Sequence, residues 1–135
     1  MPVIVEWGNA EKTILHVKFT RPWNWDEYYP IYADGYALIE TVDHKVNIIM
    51  DFSKSDGRLP ANALTHFRKA ASNSHPQRGV VIITSPRMML VKMMVNMIQK
   101  VGLIKTPLLF ADTLEEAFAT LKRMADDKPD TISFR

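Results

Sequence analysis

Hydrophobic residues are continuous, rather than alternating with polar ones, in three short runs of this chain. The runs are Val46–Met50, Val80–Ile83 and Leu108–Phe110. Unbroken apolar runs of this length are typical of parallel strands that are buried on both faces. Parallel neighbours also need a crossover connection, which is usually a helix. The pattern therefore predicts three adjacent parallel strands with helices on both faces of the sheet.

The start of the chain has a different pattern, in which Val3–Trp7 and Lys12–Phe19 flank a short turn at Gly8–Ala10. Two such runs around a short Gly-containing connection predict a hairpin. One face of the second run is fully apolar and the other is half polar, as expected of an antiparallel or less covered strand. The half-polar face carries Ile14, His16 and Lys18.

Helical signals occupy the segments between the predicted strands. Asn24 with Glu27 three residues later resembles a capping box, and aromatic residues then recur at helical spacing. Pro30 conflicts with this pattern, and we expect it to kink the helix or to delay its start. Capping and Pro/Gly signals predict the remaining helices over Pro60–Ser74, Ser85–Val101 and from Thr113 onward.

The resulting order is ββαβαβαβα, which predicts one α/β domain over residues 1–125 and a tail over 126–135. This order, the IIMDFS stretch, the TLEEAFATL helix and the WNWDEYYPIY segment resemble the STAS domains, including the SpoIIAA-like anti-sigma factor antagonists. The resemblance implies a five-stranded mixed sheet with about four helices. It also implies a bacterial, cytoplasmic regulatory or protein-interaction module rather than an enzyme.

One departure from the family concerns its phosphorylated serine, which follows the aspartate at the end of the central strand. Asp51 matches that strand-end aspartate, but counting onward to the serine position arrives at Pro60, which has no hydroxyl. The family's phospho-switch therefore does not transfer. If a switch exists, Ser53 or Ser55 must carry it.

Three loops should emerge at the carboxyl edge of a parallel sheet, which is where open α/β folds usually place their sites. They are Asp51–Arg58, Thr84–Arg87 and Ala111–Thr113. Arginines from two of them could converge on an anion beside a helix N-terminus. Alternatively, these polar side chains only satisfy loop backbone groups. The candidate binding face comprises Asp51, Ser53, Ser55, Asp56, Arg58, Ser85 and Arg87.

Two apolar segments could form an interface or a pocket. The helix over 85–101 holds five of the chain's eight methionines, and its polar stripe is narrow. The aromatic residues over 23–36 could line a site for a small apolar ligand, although ordinary core packing explains both segments as well. We expect a protein partner or a homodimer here. The candidate residues are Trp25, Tyr29, Met89, Met93 and Met97.

Composition excludes several classes of function. The chain has no cysteine, so disulfide scaffolds and thiol catalysis are excluded. Its four histidines lack ligand spacing, its net charge is only +2, and no apolar stretch could span a bilayer. We therefore expect no metal, cofactor, nucleic acid or transmembrane segment, and the start of the sequence lacks a secretory pattern.

The sequence thus favours a non-enzymatic interaction module. A small-molecule or lipid-binding domain that uses the aromatic and Met-rich surfaces is the alternative. An enzyme without a recognisable motif ranks third, because a fold alone does not exclude catalysis.

Overall fold

A computed structural model describes residues 3–20, 23–54, 60–62, 65–66, 69, 75–84 and 108–127 of the chain. These residues form five strands and two helices. The strands are β1 (Val3–Trp7), β2 (Ile14–Phe19), β3 (Val46–Asp51), β4 (Arg78–Thr84) and β5 (Leu108–Ala111), and the helices are α1 (Trp25–Ile39) and α2 (Leu114–Asp127).

All five strands form one sheet, and their order in space is their order along the chain. β1 is antiparallel to β2, whereas β2, β3, β4 and β5 run parallel to their neighbours. The predicted five-stranded mixed sheet and the adjacency of the three apolar runs are confirmed. The described part shows two helices where about four are expected. The predicted helix over 85–101 lies outside the described residues, as does most of the one over 60–74.

The hairpin differs from its prediction because β2 begins at Ile14 rather than at Lys12. The side-chain oxygen of Asn9 accepts hydrogen bonds from the backbone N–H groups of Thr13, at 3.0 Å, and Ile14, at 3.2 Å. Lys12 has a φ of 58°, in the left-handed region. An asparagine that bonds the backbone ahead of it favours a turn over a strand. These bonds lengthen the loop, so β2 begins two residues later than predicted.

α1 begins where its capping residues predict. The side chain of Asn24 accepts from the backbone N–H of Glu27, whose carboxylate accepts in return from the backbone N–H of Asn24. This reciprocal pair satisfies two N–H groups that a helix start leaves without partners. Pro30 lies inside the helix and does not delay its start, so that part of the expectation was wrong.

The two helices cover opposite faces of the sheet, which we call the α1 face and the α2 face. The α1 face buries two apolar clusters and the α2 face one, and burial on both faces is expected for a largely parallel sheet. Buried residues of the α1 face are Val3, Leu15, Phe19, Trp23, Trp25, Tyr28, Ile31, Ile39, Val46, Phe52 and Ile83. Those of the α2 face are Ile14, Ile49, Ile82, Ala111, Ala117 and Leu121.

An irregularity lies where β3 and β4 begin, because their register shifts between Val46 and Ile48. The side-chain oxygen of Asn47 accepts from the backbone N–H of Val80 at 2.8 Å. A Cβ atom added at Gly79 would overlap that same Asn47 oxygen. Any larger residue at this position would therefore displace the Asn47 side chain from its bond to Val80.

Two glycine substitutions should have opposite effects on stability. We expect Gly79→Ala to lower the free energy of unfolding by about 1–3 kcal/mol, because the Asn47 side chain must move and lose its bond to Val80. Gly35→Ala is the control, since its Cβ would lie 3.7 Å from Leu15 and Val5. Alanine inside a helix should stabilise by up to about 1 kcal/mol. Urea unfolding measures both, and equal effects would contradict this account.

Candidate functional site

Asp51 ends β3 at the carboxyl edge of the parallel strands. In the sheet register it stands between Lys18 of β2 and Thr84 of β4. Because side chains alternate between faces along a strand, Asp51 shares the α2 face with Ile49 and with the register partner of Ile49, His16. The sheet thus places an imidazole, a carboxylate and a hydroxyl on one face near this edge.

The carboxylate of Asp51 is held from two sides. His16 Nε2 lies 2.8 Å from Asp51 Oδ2, and both side chains are nearly inaccessible, each residue being only 6% exposed. Ser53 donates its backbone N–H to Oδ1 at 2.9 Å and its hydroxyl to the same oxygen at 2.5 Å. Both carboxylate oxygens are therefore occupied by groups of the same chain.

These bonds determine the ionisation of Asp51. Burial alone would raise the pKa of this carboxyl, but the hydrogen bonds from His16 and Ser53 outweigh burial and lower its pKa from 3.8 to about 2. Asp51 is ionised at neutral pH as a result. An ionised carboxylate can only accept hydrogen bonds, so Nε2 of His16 carries the proton in this contact.

Phe118 and Lys18 lie beside the His16–Asp51 pair on the α2 face. The ring of Phe118 of α2 stands edge-on to the imidazole, with 6.1 Å between the ring centroids. Lys18 lies beside Asp51 in the register, yet its ammonium pairs with Glu6 of β1 at 2.9 Å. The negative charge of Asp51 is therefore stabilised by hydrogen bonds from His16 and Ser53 rather than by an ion pair with the neighbouring lysine.

Thr84 occupies the other side of Asp51. The residue is 0% exposed, and within the described part of the chain its hydroxyl oxygen has no hydrogen-bond partner. Asp51, its neighbour in the register, is bonded to His16 and Ser53 instead. An unsatisfied buried hydroxyl costs roughly 1–3 kcal/mol. The carboxyl edge thus contains a polar group that does not contribute to stability.

The structure brings together only part of the predicted binding face. Asp51 and Ser53 are bonded to each other, and Lys54 beside them is exposed. At the end of β5, the hydroxyl of Thr113 accepts from the backbone N–H of Glu116 and caps α2, as its spacing predicts. Five further candidates lie outside the described residues: Ser55, Asp56, Arg58, Ser85 and Arg87.

The aromatic candidates on α1 pack against the segment that follows β3. Trp25 is buried, donates its indole N–H to the carbonyl of Ala61 at 2.8 Å and stacks on His66 with centroids 4.3 Å apart. The hydroxyl of Tyr29, which is half-buried, lies 2.7 Å from His66 Nδ1. These contacts join α1 to Ala61 and His66. The methionine candidates Met89, Met93 and Met97 lie outside the described residues.

The role of His16 was not predicted from the sequence. The spacing of the histidines bears only on metal binding, whereas the partner of His16 lies 35 residues away on the next strand. The sequence pattern places His16 on the half-polar face of its strand, where a polar side chain is expected, so it carries no signal of burial. In the structure His16 is buried, and the aspartate that ends the neighbouring strand supplies the partner that a buried polar group needs.

Within the described ranges, no group of three or more His, Asp or Glu side chains could hold a metal ion. No helix there is long and apolar enough to cross a membrane. The chain matches no family model, and neither a curated protein nor a solved structure is significantly similar to it. The STAS resemblance therefore remains a prediction from the sequence segments that carry it.

Asp51 should make stability depend on pH in the acid range. Its folded pKa, about 2, is below the 3.8 of an ordinary aspartate, so its contribution is present above pH 3.8 and is lost as pH falls towards 2. We expect Asp51→Asn to lower the free energy of unfolding at neutral pH, and its deficit relative to wild type to shrink below about pH 4. Urea unfolding across pH 2–7 measures this.

The exposed Asp34 provides the matched control for that series. Asp34→Asn should have little effect on the unfolding free energy at neutral pH, because surface substitutions rarely do. A deficit of Asp51→Asn that stays constant down to pH 2 would show that the charge of Asp51 does not stabilise the fold.

The buried hydroxyl of Thr84 leads us to expect that its removal stabilises the fold. Thr84→Val keeps the side-chain shape and removes a buried group that has no partner. We expect the free energy of unfolding to rise by about 1 kcal/mol. Thr13→Val is the control, because the Thr13 hydroxyl accepts from the Asn9 side chain at 2.7 Å and its loss should destabilise. Thermal and urea unfolding would compare them, and destabilisation by both would refute an unpaired Thr84.

Proposed function

We propose that this chain is a non-enzymatic regulatory or protein-interaction module of STAS type, and that its partner contacts the carboxyl edge of the sheet at the loop after β3. The observation that carries the proposal is the engagement of Asp51. His16 and Ser53 bond its two oxygens, so this buried carboxylate acts as an internal anchor. A buried carboxylate that is bonded in this way is poorly placed to bind or activate a substrate.

The ionisation of the described residues supports a role without acid–base chemistry. A general base works best when its pKa lies near the working pH. The pKa of Asp51 is lowered to about 2, whereas burial raises the pKa of Tyr28 and of Tyr32. Each of these shifts moves the group away from neutral pH, which is the opposite of the tuning that catalysis needs.

The hydrogen bonds of Asp51 also hold Ser53, the second residue after β3, in a fixed position, which favours recognition by a partner. Ser53 is exposed, yet two hydrogen bonds fix it to a buried carboxylate, and the exposed Lys54 follows it directly. A loop that is already held in place loses less conformational entropy on binding, which favours affinity. A cytoplasmic location belongs to this proposal, since the STAS resemblance implies it.

The aromatic contacts favour this proposal over the small-molecule or lipid-binding alternative. The indole N–H of Trp25 donates to the carbonyl of Ala61, and the indole ring stacks on His66. The Tyr29 hydroxyl is likewise engaged by His66. These side chains hold two segments of the chain together. A ligand in their place would have to displace those internal contacts.

The test compares one substitution at the two ends of β3. Lys54→Glu reverses an exposed charge at the carboxyl edge, and Lys45→Glu makes the same change at the exposed amino end. Proteins captured by the wild-type chain would be identified by mass spectrometry, and binding of the purified partner would be measured by calorimetry. We expect Lys54→Glu to weaken binding about tenfold, which corresponds to about 1.4 kcal/mol. Lys45→Glu should bind like wild type.

Two results would overturn the proposal. The first is a partner whose affinity is weakened equally by both substitutions, or only by Lys45→Glu. The second is turnover of a substrate that depends on His16 or Asp51, since such an activity would make this pair catalytic rather than an anchor.

A further inference from the structure

The Asp51 carboxylate is surrounded by more donors than the two that it bonds. In the sheet register Lys18 of β2 and Thr84 of β4 stand directly beside it, on the same α2 face. The Lys18 ammonium pairs instead with Glu6, and the Thr84 hydroxyl has no partner within the described part of the chain. The sheet therefore places competing donors around one carboxylate, and a further contact must determine which of them it bonds.

His16 is the partner best able to fix the direction of that carboxylate. Its Nε2 lies 2.8 Å from Asp51 Oδ2, and both residues are buried, so water scarcely competes for the bond. The ring of Phe118 packs edge-on against the imidazole from α2. A side chain that is confined by such packing keeps one rotamer. The imidazole therefore holds one carboxylate oxygen at a defined point.

The second oxygen of the same carboxylate bonds an exposed residue. Oδ1 accepts from the backbone N–H of Ser53 at 2.9 Å and from its hydroxyl at 2.5 Å. Ser53 is exposed, and the exposed Lys54 follows it. Because a carboxylate group is rigid and planar, a contact that fixes Oδ2 also fixes where Oδ1 accepts hydrogen bonds. The position of the buried imidazole is thus transmitted to the surface through Asp51.

We propose that His16 is a positioning residue of the recognition surface, because it directs Asp51 towards Ser53. This inference rests on the function proposed for the carboxyl edge, and it names the buried residue that sets the geometry there. Without the imidazole donor the buried carboxylate needs another partner, since an unpaired buried charge is costly. Asp51 should then turn to the ammonium of Lys18, which carries a full opposite charge, and release Ser53.

Lys18 is able to make that exchange. Its present ion pair with Glu6 is partly exposed to solvent, and such pairs contribute little to stability. Its ammonium is carried on a flexible four-carbon stem, so it can reach a new partner without a change in the backbone. The contact between His16 and Asp51 is therefore what keeps the carboxylate on Ser53 rather than on Lys18.

The test measures hydrogen exchange of the Ser53 amide, which reports local opening of its bond to Asp51. His16→Leu removes the donor, and the Ser53 amide should then exchange at least about tenfold faster. His16→Gln is the conservative control, because it keeps an N–H donor and should restore slow exchange. The amide of Ile49, within β3, is the reference. A merely structural role of His16 would accelerate exchange at Ile49 and Ser53 alike.

A second substitution separates positioning from a general loss of stability. Lys18→Met removes the competing ammonium, so in the His16→Leu background it should return Asp51 to Ser53 and slow the exchange again. Lys18→Met alone should exchange like wild type, because His16 already holds the carboxylate. A protein that is only destabilised by His16→Leu would not recover when a second residue is changed.

Ser53→Ala covers the case in which the His16 variants fail to fold, because it changes an exposed side chain and keeps the backbone N–H. With His16 in place, that amide should still exchange within about threefold of the wild-type rate. The proposal is overturned if the amide loses its protection in Ser53→Ala, if folded His16→Leu leaves Ser53 protected, or if Lys18→Met does not restore protection. These measurements need no partner, so such a failure leaves the proposed function standing, and that function fails separately if Lys54→Glu does not weaken binding.

Discussion

The hydrogen bond between His16 and Asp51 is the polar constraint on which the rest of this largely apolar sheet depends. It joins β2 to β3 at 2.8 Å in a place that solvent scarcely enters. A slip of one residue in either strand would turn its side chain towards the α1 face, where Phe19 and Phe52 stack with centroids 4.2 Å apart. An ionised carboxylate among those rings would have no partner. The pair therefore specifies the register, and through Ser53 it also positions the residues directly after β3.

The side chains of Gln77 and Thr84, at the two ends of β4, differ in their hydrogen bonds. At the amino end, the side-chain amide of Gln77 donates to the carbonyls of Val42 at 2.8 Å and His44 at 3.1 Å, which ties the start of β4 to the segment after α1. At the carboxyl end, Asp51 turns towards β2 and leaves the Thr84 hydroxyl unpaired. The side chain of Gln77 therefore stabilises the start of β4, whereas the buried hydroxyl of Thr84 at its end costs free energy.

Features that depend on neighbours in the sequence could be predicted, whereas features that depend on distant contacts could not. Continuous apolar runs gave the strands β3, β4 and β5, and the spacing of Asn24 and Glu27 gave the start of α1. The His16–Asp51 pair depends on which strands become neighbours and in what register, which no local pattern contains. The same holds for Gly79, whose requirement comes from the side chain of Asn47 on another strand. Asn9 did carry a local signal, but its hydrogen bonds extended the loop beyond what the apolar pattern alone indicated.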